Sequence, residues 1–154
     1  MPETINTILS LDLTRVGVSA SAKIDVLRSV SEMMAEQLAV ASPQEILEGL
    51  LKREEMGSTG IGGGVAIPHC RLNGCTDIHG ALIKLREPVE FDAIDGRPVD
   101  LVFALLGPEG DAERHLQVLA ILAERLNRAE FVQVLREAVD EQGLYEAAVG
   151  FDPR

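Results

Sequence analysis

The sequence predicts an α/β sandwich, a single domain in which helices cover both faces of a mixed sheet. Three observations lead to this fold class. The chain has 154 residues, the length of one domain. Short apolar runs of strand length alternate with segments of helical periodicity. The two runs within residues 81–106 are joined without a helical pattern, which indicates antiparallel as well as parallel neighbours.

The N-terminal third of the chain predicts a leader, a strand and a helix. Residues 1–12 carry little pattern, so we expect a loosely structured leader followed by a domain over residues 13–154. The run Thr14–Ser19 is typical of a short strand. After Ser21, apolar side chains recur at helical spacing: Ile24, Leu27, Val30, Met34 and Leu38.

A second helix has a complete start signal. Ser42 is a good N-cap, Pro43 occupies the first helical position, and Glu45 lies three residues after the cap. This pattern predicts a helix that ends near Met56-Gly57.

The remaining apolar runs predict three strands and two helices. The strands are expected at 65–67, 81–85 and 101–106, and the last is apolar on both faces, as in a central buried strand. Asp111 can cap a helix that carries an apolar stripe, and Asn127 can cap a final helix that starts near Ala129. The expected stripes consist of Leu116, Leu119, Leu122 and Leu126, and of Phe131, Leu135 and Val139.

Charge and composition exclude several classes of function. The formal net charge is −11, which opposes binding to a phosphate backbone, and only 3% of residues are aromatic, too few for base stacking. We therefore expect no nucleic-acid partner and favour basic protein partners. The N-terminus lacks a signal-peptide pattern and no apolar run spans a bilayer, so the expected location is cytoplasmic without membrane insertion.

The segment Gly57–His69 demands a chemical interpretation. It reads Gly-Ser-Thr-Gly-Ile-Gly-Gly-Gly-Val-Ala-Ile-Pro-His, and so many glycines suggest exposed N–H groups that cradle an anion. It is not a P-loop, because no lysine follows its second glycine. A dinucleotide fingerprint starting at Gly60 would require Gly or Ala at Val65, and the segment follows a helix, so that interpretation fails as well.

His69 is the candidate nucleophile. Pro68 restrains the backbone before it at the end of a short strand, and a neutral imidazole held in this way is suited to phosphoryl transfer. Ser58, Thr59, loop N–H groups, an arginine and a second histidine are candidate donors to the transferred group, without any metal. His79 has no such context and is assigned to surface structure.

The two cysteines provide little support for other chemistry. Cys70 next to His69 points to the opposite face of an extended chain, which argues against a thiol–imidazole pair. A zinc site built from His69, Cys70, Cys75 and His79 lacks the paired spacing of such motifs. Two cysteines five positions apart also do not make a disulfide framework.

Residues Gly57–His69, together with Phe91–Asp100 and His115-Leu116, resemble the signature of the mannitol/fructose-type (type 2) IIA domains of the bacterial phosphotransferase system, and most closely its nitrogen-regulatory branch. The resemblance covers essentially the whole chain. It implies a mixed five-stranded sheet flanked by helices and no cofactor. It also implies that an HPr-like histidine phosphocarrier protein phosphorylates His69, with His115 beside it as phosphoryl stabiliser and Arg53 binding the phosphoryl group.

The residues agree with these roles in part. His115 falls in the first turn of the helix that Asp111 caps, where the positive helix end favours a phosphate. Arg53, taken alone, has the alternative role of compensating the dipole at a helix C-terminus. Cys70 stands where family members commonly have glycine, which points to a tighter or oxidisable site.

Three functions remain open at this stage. The favoured one is regulation of nitrogen- and potassium-related targets, such as potassium transporters or sensor kinases, through the phosphorylation state of His69. The second is a sugar-specific IIA subunit that passes the phosphoryl group to a membrane permease. The third is a regulatory binding module whose histidine is never phosphorylated.

Overall fold

A computed structural model describes residues 4–151, which form six α-helices and six β-strands. The helices are α1 (Ile5–Ile8), α2 (Lys23–Gln37), α3 (Pro43–Glu55), α4 (Ala112–Leu126), α5 (Ala129–Glu137) and α6 (Glu141–Gly150). The strands are β1 (Thr14–Val18), β2 (Gly60–Gly62), β3 (Val65–Ala66), β4 (His69–Leu72), β5 (His79–Val89) and β6 (Val99–Pro108). None of the helices within 4–151 is both long enough and apolar enough to cross a bilayer.

The strands form one mixed sheet, as the sequence predicts. Its order is β1-β5-β6-β3-β2, and β4 also pairs with β6. Strands β5 and β6 are antiparallel, as are β2 and β3, whereas β1 pairs with β5, and β3 and β4 pair with β6, in parallel.

The described sheet has six strands in five positions, because β3 and β4 lie one after the other along β6. Val65 of β3 is opposite Leu101, and His69 of β4 is opposite Leu105. Between them Pro68 has no N–H to donate, which interrupts the ladder. The five-stranded sheet that the family resemblance implies is therefore present with one of its strands broken just before His69.

Strand β6 is the centre of the core. Residues 101–106 are all at most 1% exposed, so the prediction of a central buried strand is confirmed. The prediction of α3 is confirmed as well. Ser42 Oγ accepts from the N–H of Glu45 at 3.1 Å, and Glu45 Oε1 accepts from the N–H of Ser42 at 3.1 Å, which completes the capping box.

The N-terminal segment is more ordered than the expected leader. Residues 4–12 contain α1 and the start of a 3₁₀ turn at Leu11–Leu13, and the side chains of Ile5, Ile8 and Leu9 are buried. These three residues are spaced to lie on one helical face, but a single turn is too short for periodicity to reveal. The division into a leader over residues 1–12 and a domain over 13–154 stays a prediction, with part of the leader packed on the core in the described residues.

The C-terminal region also differs from its prediction. Two helices, α5 and α6, stand where one was expected, because α5 ends at Glu137. Val139 was expected on the buried stripe but is 87% exposed. Asp140 Oδ1 then accepts from the N–H of Gly143 at 2.7 Å and caps α6. Asn127 ends α4 instead of capping α5, whose N-cap is Arg128.

Candidate functional site

His69 is the first residue of β4, whereas the sequence suggested that it ends a strand. Its ring is held by its own backbone, since Nδ1 lies 2.7 Å from the carbonyl oxygen of Ile67. A carbonyl can only accept, so Nδ1 carries the proton and Nε2 keeps its lone pair. The half-buried imidazole therefore has Nε2 as its unprotonated nitrogen, the one able to act as a nucleophile.

Arg53, in the last turn of α3, contacts Nε2 of His69. Its Nε donates to His69 Nε2 at 3.2 Å, and its Nη1 donates to the carbonyl of Gly57 at 2.8 Å. Helix α3 approaches β4 closely because Gly49 has no side chain, and a Cβ there would lie 2.8 Å from the Sγ of Cys70. The structure thus brings Arg53 and His69 together.

His115 lies beside the His69 ring. The ring centroids are 5.7 Å apart with an interplanar angle of 48°. Asp111 caps α4 by accepting from the N–H of Arg114 at 3.2 Å, which places His115 in the first turn of that helix. A Cβ at Gly107 would be 2.4 Å from His115 Nδ1, so this packing requires glycine.

The His115 ring is buried without a hydrogen bond. It is 4% exposed, and neither of its nitrogens has a partner among residues 4–151. A buried polar group without a partner costs about 1–3 kcal/mol, and an unsatisfied group of this kind in a native fold calls for an explanation. An acceptor brought to the His69 nitrogen by a ligand would satisfy it.

Both histidines are biased toward the neutral form. Burial, followed by repulsion from His69 and Arg71, lowers the pKa of His115 from 6.5 to about 4. Burial also lowers the pKa of His69, with Arg53 adding to the effect, while the hydrogen bond to Ile67 and the charge of Glu54 oppose it. At neutral pH the Nε2 lone pair of His69 is available for nucleophilic attack.

The two hydroxyl groups predicted to bind phosphate have protein partners. Ser58 donates to the carbonyl of Phe91 and accepts from the N–H of Gly60 at 3.0 Å. Thr59 is 4% exposed and its hydroxyl donates to Glu54. The phosphate-binding role of both residues stays a prediction, and in this structure their donor protons are used elsewhere.

The glycine-rich segment is largely a tight hairpin, not the anion cradle that the sequence suggested. Gly62, Gly63 and Gly64 all have positive φ angles in the turn between β2 and β3. The N–H of Gly63 donates to Asp95 at 2.9 Å, and its carbonyl accepts from Arg136 at 2.6 Å. The turn is opposite the start of β6 and His69 is further along that strand, so only the beginning of the glycine-rich segment adjoins the site.

The remaining candidates lie outside this pair of rings. His79 begins β5 and is half-buried, and burial lowers its pKa. The Cys70 thiol packs toward Gly49 on α3, and burial raises its pKa to about 12, which keeps it protonated. Within residues 4–151 no group of three His, Cys, Asp or Glu side chains is arranged to hold a metal ion.

The chain matches a known family over nearly its full length. The model of the phosphoenolpyruvate-dependent sugar phosphotransferase system, EIIA 2, matches residues 7–148. The chain belongs to this family. This IIA protein is 43% identical over 145 residues to the nitrogen regulatory protein of Pseudomonas aeruginosa, which covers 94% of both chains. It is 41% identical over 143 residues to that of Escherichia coli K12, covering 92% of this chain and 87% of the other.

A solved relative confirms the fold of this IIA protein. The nitrogen regulatory protein IIA-Ntr from Neisseria meningitidis superposes with a TM-score of 0.85 at 35% identity, covering 94% of this chain and 98% of that one. The resemblance to nitrogen-regulatory IIA proteins and the predicted α/β fold are both confirmed. Members of the family are phosphoryl-transfer carriers, so the IIA protein has a role of that kind.

Sequence reasoning missed one charged group beside the site of this IIA protein. The side chain of Glu54 is only 5% exposed and lies 3.1 Å from Lys23 Nζ. It accepts from the Thr59 hydroxyl as well. No local pattern identifies Glu54, because on the sequence it is one of several acidic residues of α3 and its cationic partner is 31 positions away.

Two apolar side chains close in sequence to Arg53 and His115 are unusually exposed for their size. Met56, just after Arg53 and α3, is 80% exposed, and Leu116, next to His115, is 64% exposed. Leu116 was expected on the buried stripe of α4, but Val118 takes that inner position. Large exposed apolar side chains are typical of a protein docking surface.

Proposed function

We propose that this protein accepts a phosphoryl group on Nε2 of His69 from an HPr-like histidine phosphocarrier protein. One observation carries the proposal: Nδ1 donates to the carbonyl of Ile67, so the unprotonated Nε2 directs its lone pair at Arg53, whose Nε donates to it at 3.2 Å. In the reaction Nε2 attacks phosphorus, a P–N bond to His69 forms, and the P–N bond of the donor breaks. The donor imidazole leaves with the electron pair of that bond.

The neighbouring groups support the charges that this step creates. The ring of His69 becomes more positive as the bond forms, and the Ile67 carbonyl stabilises its Nδ1–H. The Arg53 guanidinium compensates the phosphoryl charge, and a nitrogen of His115 donates to a phosphoryl oxygen. One of the two unsatisfied nitrogens of His115 then gains a hydrogen-bond partner, the phosphoryl oxygen.

The phosphorylation state then acts as a signal. A phosphoryl group adds about two negative charges to a surface that also carries exposed Met56 and Leu116. That change alters which partner can dock there. Since its similar relatives are nitrogen regulatory proteins, we propose that this protein acts in the cytoplasm on targets of nitrogen and potassium use, such as potassium transporters or sensor kinases.

Intact mass spectrometry tests the phosphoryl transfer. Wild-type protein, His69→Ala and the matched control His79→Ala are incubated with phosphoenolpyruvate, enzyme I and the phosphocarrier protein. We expect one acid-labile phosphoryl adduct on the wild type and on His79→Ala, and none on His69→Ala. Absence of an adduct on the wild type, with donor proteins shown to be active, overturns the proposal and leaves a binding module without phosphorylation.

Target binding separates regulation from sugar transport. The phosphorylated and free forms are compared for binding to a potassium transporter or sensor kinase of the same cell. We expect affinities that differ between the two forms, with His69→Ala behaving as the free form. If both forms bind equally and the phosphoryl group passes rapidly to a sugar permease, the protein is a sugar-specific IIA subunit instead.

A further inference from the structure

The carboxylate of Glu54 is the most constrained charge beside the site. Its side chain is 5% exposed, and such a charge is stable only when it is paired and hydrogen-bonded. Its partners are Lys23 at 3.1 Å and both donors of Thr59, the backbone N–H at 3.2 Å and the hydroxyl. Consecutive residues of a helix point in different directions, so Glu54 faces this cluster while Arg53 faces His69.

Thr59 directs both of its hydrogen-bond donors, the hydroxyl and the backbone N–H, at Glu54. A threonine hydroxyl carries a single proton, and here that proton is directed at Glu54. The backbone N–H of the same residue is directed there too. A threonine that is 4% exposed and has no free donor is suited to fixing the chain, not to binding an incoming phosphoryl group.

The segment that Thr59 fixes is the one that orients Arg53. Gly57 lies two residues before Thr59, and its carbonyl accepts from Arg53 Nη1 at 2.8 Å. The N–H of Gly57 donates to the backbone carbonyl of Glu54 at 3.1 Å. Because a guanidinium is planar, a bond at Nη1 determines the direction of Nε, which here donates to His69 Nε2.

Lys23 extends this cluster to α2. It is the first residue of that helix, and its ammonium lies 5.2 Å from the centre of the Phe91 ring. The carbonyl of Phe91 accepts from Ser58, the residue between Gly57 and Thr59. The segment 57–59 is therefore held from two sides, by Glu54 through Thr59 and by Phe91 through Ser58.

We propose that Glu54, paired with Lys23, is a positioning residue: by accepting both donors of Thr59 it fixes the carbonyl of Gly57, which orients the Arg53 guanidinium toward Nε2 of His69. The proposal rests on phosphoryl transfer at His69, but it assigns to Thr59 a different role from the phosphate ligand that the sequence predicts. Loss of the clamp lets Arg53 rotate, and misplacement of a charged group by about 1 Å costs up to about 100-fold in rate.

The test compares Thr59→Val, which removes the hydroxyl that donates to Glu54, with Thr59→Ser, which keeps a hydroxyl at that position. The rate of phosphoryl acceptance is measured by intact mass, and the Arg53 Nε–H resonance is recorded by NMR in the unphosphorylated protein. We expect Thr59→Val to be about tenfold slower and to lose the hydrogen-bonded Arg53 resonance. Thr59→Ser keeps the resonance and a rate within about twofold of the wild type.

Glu54→Gln and the double variant Glu54→Gln with Thr59→Val complete the cycle. Each single variant is expected to be about tenfold slower than the wild type. Because Glu54 and Thr59 act through the same contact, their effects are not additive, and the double variant is also expected to be about tenfold slower, not about 100-fold. Losses that multiply, or a slow Thr59→Val that keeps its Arg53 resonance, show that Thr59 acts on the phosphoryl group directly and overturn the proposal. If Glu54→Gln does not fold, the Thr59 pair still decides.

The two readouts also separate this proposal from the proposed function. The Arg53 resonance needs no phosphoryl donor, so it reports on positioning even if the wild type forms no adduct. If the wild type forms no adduct, but the Arg53 resonance is lost in Thr59→Val and kept in Thr59→Ser, the proposed function is contradicted and the clamp is supported. A Thr59→Val variant with wild-type rate and resonance overturns the clamp and leaves phosphoryl transfer standing.

Discussion

Arg53 donates from Nε to Nε2 of His69 across 3.2 Å, while the Ile67 carbonyl holds the opposite nitrogen of the same ring at 2.7 Å. The imidazole is thus fixed from both sides, with its lone pair directed at a cation. An incoming phosphoryl group that binds Nε2 must displace this hydrogen bond and then meets the guanidinium at once. The two contacts hold the imidazole in one orientation with Nε2 unprotonated.

The planar shape of Arg53 should matter more than its charge. Arg53→Lys keeps a cation but cannot bond Gly57 and His69 together, so we expect phosphoryl acceptance to slow by about 10- to 100-fold. The measurement is a time course of intact mass with the phosphocarrier protein. Arg97→Lys, an exposed position in the connection between β5 and β6, is the control and should keep the wild-type rate. Equal rates for the two variants would argue against a role for the guanidinium.

His115 should reduce stability while it supports the reaction. His115→Leu removes two buried nitrogens without partners, so the free energy of unfolding should rise by about 1 kcal/mol. The same change should slow phosphoryl acceptance by about 100-fold, since a donor to the phosphoryl oxygen is lost. Urea denaturation and the mass assay measure the two effects, with the exposed Gln117→Leu as control. A variant that is both less stable and fully active would assign His115 to packing.

Stability should fall in mild acid because of the same histidine. The pKa of His115 is about 4 in the folded protein against 6.5 ordinarily, so the unfolded chain binds a proton first as the pH falls. The folded state therefore loses about 3 kcal/mol between pH 6.5 and pH 4, and this contribution is absent above pH 6.5. Urea denaturation across this range measures the loss. His115→Leu should show a clearly shallower slope, and an unchanged slope would contradict the prediction.

The exposed apolar residues beside the rings should serve docking. Leu116→Ser and Met56→Ser remove side chains that are 64% and 80% exposed, so we expect little change in folding stability. The KM for the phosphorylated carrier should rise about tenfold for each, with kcat nearly unchanged. Val139→Ser is the matched control, because Val139 is 87% exposed but follows α5, away from His69. A similar rise in all three variants would point to a general loss of solubility.

Much of the fold, and the proposal that His69 is the reactive residue, follow from local patterns. The capping box of α3 and the buried run of β6 depend on neighbours in the sequence, and both are confirmed. The helix break after Glu137 was missed, because Val139 continues the helical spacing even though the chain turns there. Helical spacing records which residues share a face and not where the helix ends.

The candidate site was predictable only where its residues lie next to one another in the sequence. His69 stands out because Pro68 and the glycines precede it, but the same glycines turned out to shape a hairpin around Asp95 and Arg136. No local pattern identifies Glu54, since its burial as a charged group depends on pairing with Lys23 from a different helix. Hydrogen-bond partners that are distant in sequence are set by packing, which no single segment encodes.

The sequence by itself determined the fold class and the family, and it singled out His69 as the residue proposed to carry the phosphoryl group. These follow from periodicity, capping and a contiguous motif, all of which are properties of neighbouring residues. Only the tertiary structure decided which nitrogen of His69 carries the proton, that Arg53 and His115 reach the ring from two helices, and that Thr59 is bound to Glu54. Those relations join elements far apart along the chain, and they exist because one core packs α3, α4 and β4 around the same point.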